Sequence, residues 1–166
     1  DFDNDADLDL FIANGHIYPQ VTGFPEYGET YAQRNQLFRN DAGRFVEVVP
    51  ADGSALAQLR SSRGSAVGDL DNDGDLDLAT GGLLLRNRLN DDTPESERHP
   101  WIKVRLKGDG VNAFAIGAEV RIRPNFSRWI LTRQVEGGTG EGNQNDLTLH
   151  FGLRDHATPV ELQVRW

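Results

Sequence analysis

The chain has 166 residues, a hydrophobic fraction of 37%, 18 Gly, no Cys and a formal charge of −9. That length suits one ordinary domain or two small ones, and the missing cysteines exclude disulfides and thiol chemistry. The acidity argues against nucleic-acid binding, and no apolar run approaches the ~18 residues of a membrane-crossing helix.

The first ten residues, DFDNDADLDL, place an aspartate at every second position: Asp1, Asp3, Asp5, Asp7 and Asp9. Packed carboxylates repel one another, so a cation between them is expected. The same pattern returns at Asp69–Leu78, DLDNDGDLDL, with Asp69, Asp71, Asp73, Asp75 and Asp77; eight of ten positions are identical. This is an internal repeat. It extends to QLFRN (Gln36–Asn40) after the first copy and LLLRN (Leu83–Asn87) after the second. Two dications would bring the formal charge from −9 to −5.

Between the first loop and its RN dipeptide lies an insertion, His16–Asn35, rich in Gly, Pro, Tyr and Gln. Length and composition predict a surface loop. DLFIANG and DLATGG read as strands leaving tight loops. QLFRNDAGRFVEVV reads as a hairpin with its turn at Asn40–Gly43, and RGSAVGDL as a strand entering the second Asp loop. Strands and turns recurring this way suggest a propeller blade. The polar, Pro-bounded NDDTPESERHP (Asn90–Pro100) reads as a linker and the most protease-sensitive point outside the insertion. Beyond it, WIKVRLKG, GAEVRIRP, RWILTRQVEGG, DLTLHFGL and VELQVRW predict five alternating strands of a small antiparallel sandwich or barrel. The expected organisation is repeat region 1–89, linker 90–100 and β domain 101–166. With no Met and a motif at residue 1, the chain is read as a piece of a longer one.

The Asp spacing is that of an oxygen cage for a hard cation. Ca²⁺ takes about six to eight oxygen ligands. In DLDNDGDLD, Asp69, Asp71 and Asp73 would give side chains, Gly74 would turn the chain, Asp75 would give its carbonyl, and Asp77 would close the shell. Leu70, Leu76 and Leu78 would anchor the loop to the sheet. In the first copy Asp1, Asp3, Asp5, Asp7 and Asp9 take the same positions, with Ala6 where Gly74 stands. An EF-hand is disfavoured. Its twelfth position needs Glu, but Thr80 and Ile12 stand there, and the flanks read as strands.

At these residues the sequence resembles the FG-GAP/VCBS repeats, the integrin-α-type propeller blades. AIGAEVRI (Ala115–Ile122), VEGGTGEGNQNDLTLHFGL (Val135–Leu153) and VELQVRW (Val160–Trp166) resemble the ASPIC/UnbV domain. The pairing is similar to the cartilage acidic protein family and its bacterial relatives. The resemblance implies an all-β protein, a fragment of a calcium-stabilised propeller followed by a sandwich-like domain. It also implies an extracytoplasmic setting: secreted, periplasmic or cell-surface.

No catalytic residues are assigned. His16, His99, His150 and His156 form no HExxH, Ser occurs in no GxSxG, and GGTGEGNQ lacks a P-loop lysine. His150, in an alternating strand, is expected to face solvent or bond locally. The sequence therefore points to a non-enzymatic, calcium-binding recognition, adhesion or structural protein. A protein or glycan partner would contact the His16–Asn35 loop through Tyr18, Phe24, Tyr27 and Tyr31. Two alternatives stay open: part of a polysaccharide-acting propeller enzyme whose active site lies elsewhere, and an accessory subunit of a large envelope complex.

Overall fold

The computed structural model describes residues 1–124, 130–156 and 160–166. The protein is all-β, and among the described residues its strands form five small antiparallel sheets. Strand β1 (Leu10–Ile12) leaves the first Asp loop. The insertion follows as two short 3-10 turns, Pro19–Gly23 and Pro25–Tyr27, of which the first buries Val21. It returns through β2 (Gln33–Arg34) to the hairpin β3 (Gln36–Asp41) and β4 (Arg44–Glu47). The hairpin turns at Ala42–Gly43, both at positive φ, as the Asn-Asp-Ala-Gly sequence predicts. β5 (Leu59–Arg60) pairs with β2. β6 (Ser65–Gly68) enters the second Asp loop and β7 (Asp77–Thr80) leaves it, pairing with β6 and with β8 (Leu83–Leu85).

The internal repeat holds in three dimensions. Leu10 opposes Phe38 across β1 and β3, and Leu78 opposes Leu85 across β7 and β8. These are the pairs obtained by aligning Asp1 with Asp69 and Arg39 with Arg86. The two sheets, ordered β1-β3-β4 and β6-β7-β8, suit a propeller fragment. Each leaves apolar side chains open, including Leu10, Phe45 and Leu84.

The segment expected to be a linker opens with a four-residue helix, α1 (Leu89–Asp92). Asn90 is buried, while Pro94–Arg98 is exposed. The five strands beyond it are β9 (Trp101–Val104), β10 (Glu119–Pro124), β11 (Leu131–Gln134), β12 (Leu149–Gly152) and β13 (Val160–Arg165). Arg128 and Trp129, placed at the start of one predicted strand, lie outside the described residues. The strands divide into a three-stranded sheet, β11-β10-β13, and a pair, β12-β9. Val120, Ile122, Leu131, Val135, Leu149, Phe151 and Leu153 form one buried cluster from both sheets. Full burial of such a side chain stabilises by about 1.5–3 kcal/mol each. This is the sandwich-like arrangement that alternation predicted.

The region before α1 has a different interior. Its buried residues are chiefly polar: Asp1, Asn4, Asn35, Ser62, Asp69, Asp75, Asp77 and Thr80. Ala6 packs against the apolar cluster of the sandwich, so the first Asp loop is seated on the second half of the chain.

Candidate metal centre

The two Asp loops share one hydrogen-bond frame. The first carboxylate of each accepts from the backbone of position 6: Ala6 N–H to Asp1 at 3.1 Å and Gly74 N–H to Asp69 at 3.1 Å. The position-5 carboxylate accepts from position 7: Asp7 N–H to Asp5 at 2.8 Å and Asp75 N–H to Asp73 at 2.9 Å. These bonds curl the chain so that alternate side chains converge instead of diverging as in a strand. Carboxylate oxygens of Asp1, Asp3 and Asp5 lie within 4.8 Å of one another, as do those of Asp69, Asp71 and Asp73.

The curl needs positive φ at positions 4 and 6. Asn4 and Asn72 sit at φ 60° and 63°, Ala6 and Gly74 at 78° and 91°. Asn tolerates that region; Ala there costs on the order of 1 kcal/mol. Gly74 has a second reason to be glycine. A Cβ on it would stand 1.9 Å from Trp101 Nε1.

Asp7, Asp9, Asp75 and Asp77 lie outside the convergent triplets. Asp9 accepts from Phe2 N–H at 2.8 Å and Asn40 N–H at 2.9 Å. Asp77 accepts from Leu70 N–H at 3.0 Å and Asn87 N–H at 2.9 Å. Each ninth-position carboxylate therefore ties its loop entry to the RN dipeptide of the same repeat. The Asp7 carboxylate accepts from Ala42 N–H at 3.2 Å. Asp75, buried, accepts from Asn90 N–H at 2.6 Å, which leaves its carbonyl as the atom position 7 can offer.

Cations approach from outside. Lys103 Nζ is 2.8 Å from Asp69 Oδ2 and Arg133 is 3.3 Å from Asp1 Oδ2. Arg86 bridges Asp71 and Asp73. Gly152 N–H donates to Asp1 at 2.9 Å, and a Cβ on Gly152 would meet the Asn4 backbone at 2.5 Å. Even so, one oxygen of Asp3 and one of Asp69 are buried with no hydrogen-bond partner in the described structure. Burial, with the charges of Asp5 and Asp9, pushes the Asp3 carboxyl up to about 6. Hard oxygen donors, three convergent carboxylates per loop and unpartnered oxygens among them fit a Ca²⁺-type cation.

Two expectations are corrected. His150 does not face solvent: it is 7% exposed, stacks beside Trp101 and bonds through Nε2 to the Gly74 carbonyl at 3.1 Å. Burial pushes its pKa down to about 4, so it is neutral. Leu70 does not anchor its loop; it is exposed, because alternation turns it away from the convergent carboxylates. Among the insertion aromatics, Tyr18, Phe24 and Tyr27 are exposed, while Tyr31 is half-buried and its N–H donates to Thr22 Oγ1. Sequence reasoning missed Asn4, Arg86, Asn90, Lys103 and Arg133. Of these only Arg86 left a signal, the RN dipeptide common to both repeats.

Comparison with known proteins agrees with this architecture. Residues 1–80 match the FG-GAP-like repeat, and residues 108–166 match ASPIC and UnbV. The chain is thus similar, in this order, to an FG-GAP-like repeat and to an ASPIC and UnbV domain. It is similar to Cartilage acidic protein 1 of Mus musculus, 30% identical over 170 residues, and to that of Xenopus tropicalis, 29% identical over 170 residues. Both alignments cover 100% of this chain and 24% of the relative, so the chain spans about a quarter of the length of the curated relatives it matches. Among the described residues no helix is long and apolar enough to cross a membrane.

Proposed function

We propose that this chain is a non-enzymatic calcium-binding β protein of an extracellular setting, acting in recognition or adhesion or as a structural subunit. The carrying observation is the pair of Asp triplets, each with oxygens within 4.8 Å and each with a buried oxygen left unpartnered. Asp69, Asp71 and Asp73 would hold one ion and Asp1, Asp3 and Asp5 the other. The Asp75 and Asp7 carbonyls, with Asp77 and Asp9, are the remaining donors. A bound cation would offset both the burial and the repulsion that raise Asp3. At a hundredfold excess over its Kd, each ion would stabilise the fold by about 2.7 kcal/mol. The FG-GAP-like repeats and the cartilage acidic protein relatives support the extracellular setting.

Calorimetric titration of the chain tests this reading. Ca²⁺ should bind with higher affinity than Mg²⁺, because a shell of carboxylate and carbonyl oxygens suits a large, flexible coordination sphere better than a strict octahedron. Equal affinity for the two ions, or no uptake at millimolar metal, would count against it.

A partner contact is the second part of the proposal. Tyr18 and Tyr27 are 63% and 68% exposed on an insertion that the second repeat lacks. Exposed aromatics of this kind are enriched in interface cores. Replacing Ile17–Arg34 by a short Gly linker should preserve folding and calcium binding while abolishing association with a protein or glycan partner. Collapse of the fold, or unchanged association, would refute the contact.

A further inference from the structure

Asn4 lies where the two Asp loops meet. It is 1% exposed, and its side-chain amide donates to the Gly74 carbonyl at 3.1 Å and reaches Asp75 Oδ1 at 3.4 Å. The same Gly74 carbonyl is the partner of His150 Nε2. Asn87, closing the second loop, donates its amide to the Phe2 carbonyl of the first at 2.7 Å. The backbone carbonyl of Asn4 in turn accepts from Arg154 N–H at 3.0 Å. The loops are therefore bonded to each other as well as to the sandwich.

We propose that the two loops bind their cations cooperatively, with Asn4 as the positioning residue that transmits the coupling. The proposal rests on the calcium reading above. Asn4 stands between Asp3 and Asp5, two of the three convergent carboxylates of its loop, so an ion held there fixes the Asn4 backbone. Fixing that backbone aims its amide at Gly74 and Asp75, the turn and the carbonyl donor of the second loop. The ordering cost of the junction is then met once instead of twice, which is positive coupling without a large movement. By linkage the second loop strengthens the first by the same factor. Repulsion between two dications opposes this. Each loop, however, has five aspartates and remains net negative with one dication inside it. Asn72, the equivalent residue of the second loop, is bonded to Lys103 instead, at 2.7 Å.

Calcium titration of the full chain and of Asp3→Asn and Asp71→Asn, each silencing one loop, measures the coupling directly. The surviving loop should bind about fivefold or more weaker than in the intact chain, the lower end of typical coupling. Asn4→Gly keeps the positive φ accessible and removes the amide. It should leave both loops able to bind and bring the coupling factor close to one. Asn72→Gly makes the same backbone change and should retain the coupling. Asn4→Asp keeps the turn preference and places an acceptor against the Gly74 carbonyl; coupling should vanish or reverse sign. Calcium-free circular dichroism reports whether each variant folds, and the Asp3→Asn and Asp71→Asn comparison stands even where an Asn4 variant does not. Two sites with affinities indifferent to each other, or Asn4→Gly with coupling intact, would overturn the proposal alone. No calcium uptake by the unaltered chain would overturn the calcium reading and this with it.

Discussion

The two Asp loops have nearly the same ten residues and the same internal hydrogen bonds, yet they sit in different electrostatic surroundings. The second loop has Lys103 on Asp69 and Arg86 across Asp71 and Asp73. Desolvation works against ionisation of Asp71, but the Arg86 hydrogen bond and charge overcome it and hold the carboxyl below its usual range. In the first loop the matching arginine, Arg39, is taken by Asp41. Arg133 reaches only Asp1, and Asp3 is left at about 6. The motif sets the curl of the chain; the residues around it set how much negative charge is left unbalanced.

The backbone at position 6 separates the loops most sharply. Gly74→Ala would force a Cβ to within 1.9 Å of Trp101 Nε1 at a φ of 91°. Overpacking and left-handed strain together should cost about 3 kcal/mol or more. Chemical denaturation of the variant against the parent chain measures it. A loss below about 1 kcal/mol would mean that Trp101 swings aside freely and that the second loop is not held by the sandwich.

Asp73→Ala should cost more than Asp5→Ala, by about 1–2 kcal/mol in calcium. Asp73 accepts from Asp75 N–H and from Arg86, and its own carbonyl holds the Asn90 amide at 3.2 Å. Among the described residues the Asp5 carboxylate accepts from Asp7 N–H alone. Hydrogen bonds to charged groups are worth about 1.5–3 kcal/mol when buried and less at this exposure. Melting temperatures in the reverse order would show that the first loop is the better organised of the two.

Much of this was legible in the sequence. The repeat alignment set Leu10 and Phe38 beside Leu78 and Leu85 as equivalents, and in the structure Leu10 opposes Phe38 as Leu78 opposes Leu85, because register follows from a pattern that one-residue slips destroy. Alternation located the five strands of the sandwich, and the 1-3-5 spacing located the convergent carboxylates. What remained illegible joins distant parts of the chain. His150 was placed outward because its strand alternates, but a strand with both faces covered has no outward side: Leu149–Gly152 is buried throughout. Asn4 reads as one polar residue in an acidic loop until Gly74, 70 residues away, is brought against it. Asn90 reads as the start of a linker until Asp75 is found accepting from it.

The loops should also differ in their response to pH without metal. Asp3 has a folded pKa of about 6 against an ordinary value of 3.8. Between those values the folded state holds a proton that the unfolded chain has released, so its contribution to stability falls as pH rises from about 4 to about 6. Asp71, depressed in the folded state, acts in the opposite sense at lower pH: its contribution is present above the unfolded value and lost on acidification. Buried His150, held down to about 4, opposes this over the same range, so the Asp3 contribution is read as a difference: on going from pH 6.5 to 5, Asp3→Asn should lose stability relative to the chelated parent chain. An unchanged slope in Asp3→Asn would place the first loop's strain elsewhere.

The smallest effect is expected at Ala6, and its sign is the informative part. Ala6→Gly removes a left-handed alanine at φ 78°, a gain on the order of 1 kcal/mol. Against this stand the greater chain entropy of glycine in the unfolded state and the loss of a methyl that packs on the sandwich core, itself worth about 0.8 kcal/mol if fully buried. The terms nearly cancel, so the variant should lie within about 0.5 kcal/mol of the parent chain. If Ala6→Gly stabilises by a full 1 kcal/mol, the methyl contributes little and the first loop is merely a strained copy of the second. If it destabilises by as much, the Ala6 methyl is a docking contact, and the two loops have diverged at position 6 because one lies against an apolar cluster and the other beneath an indole ring.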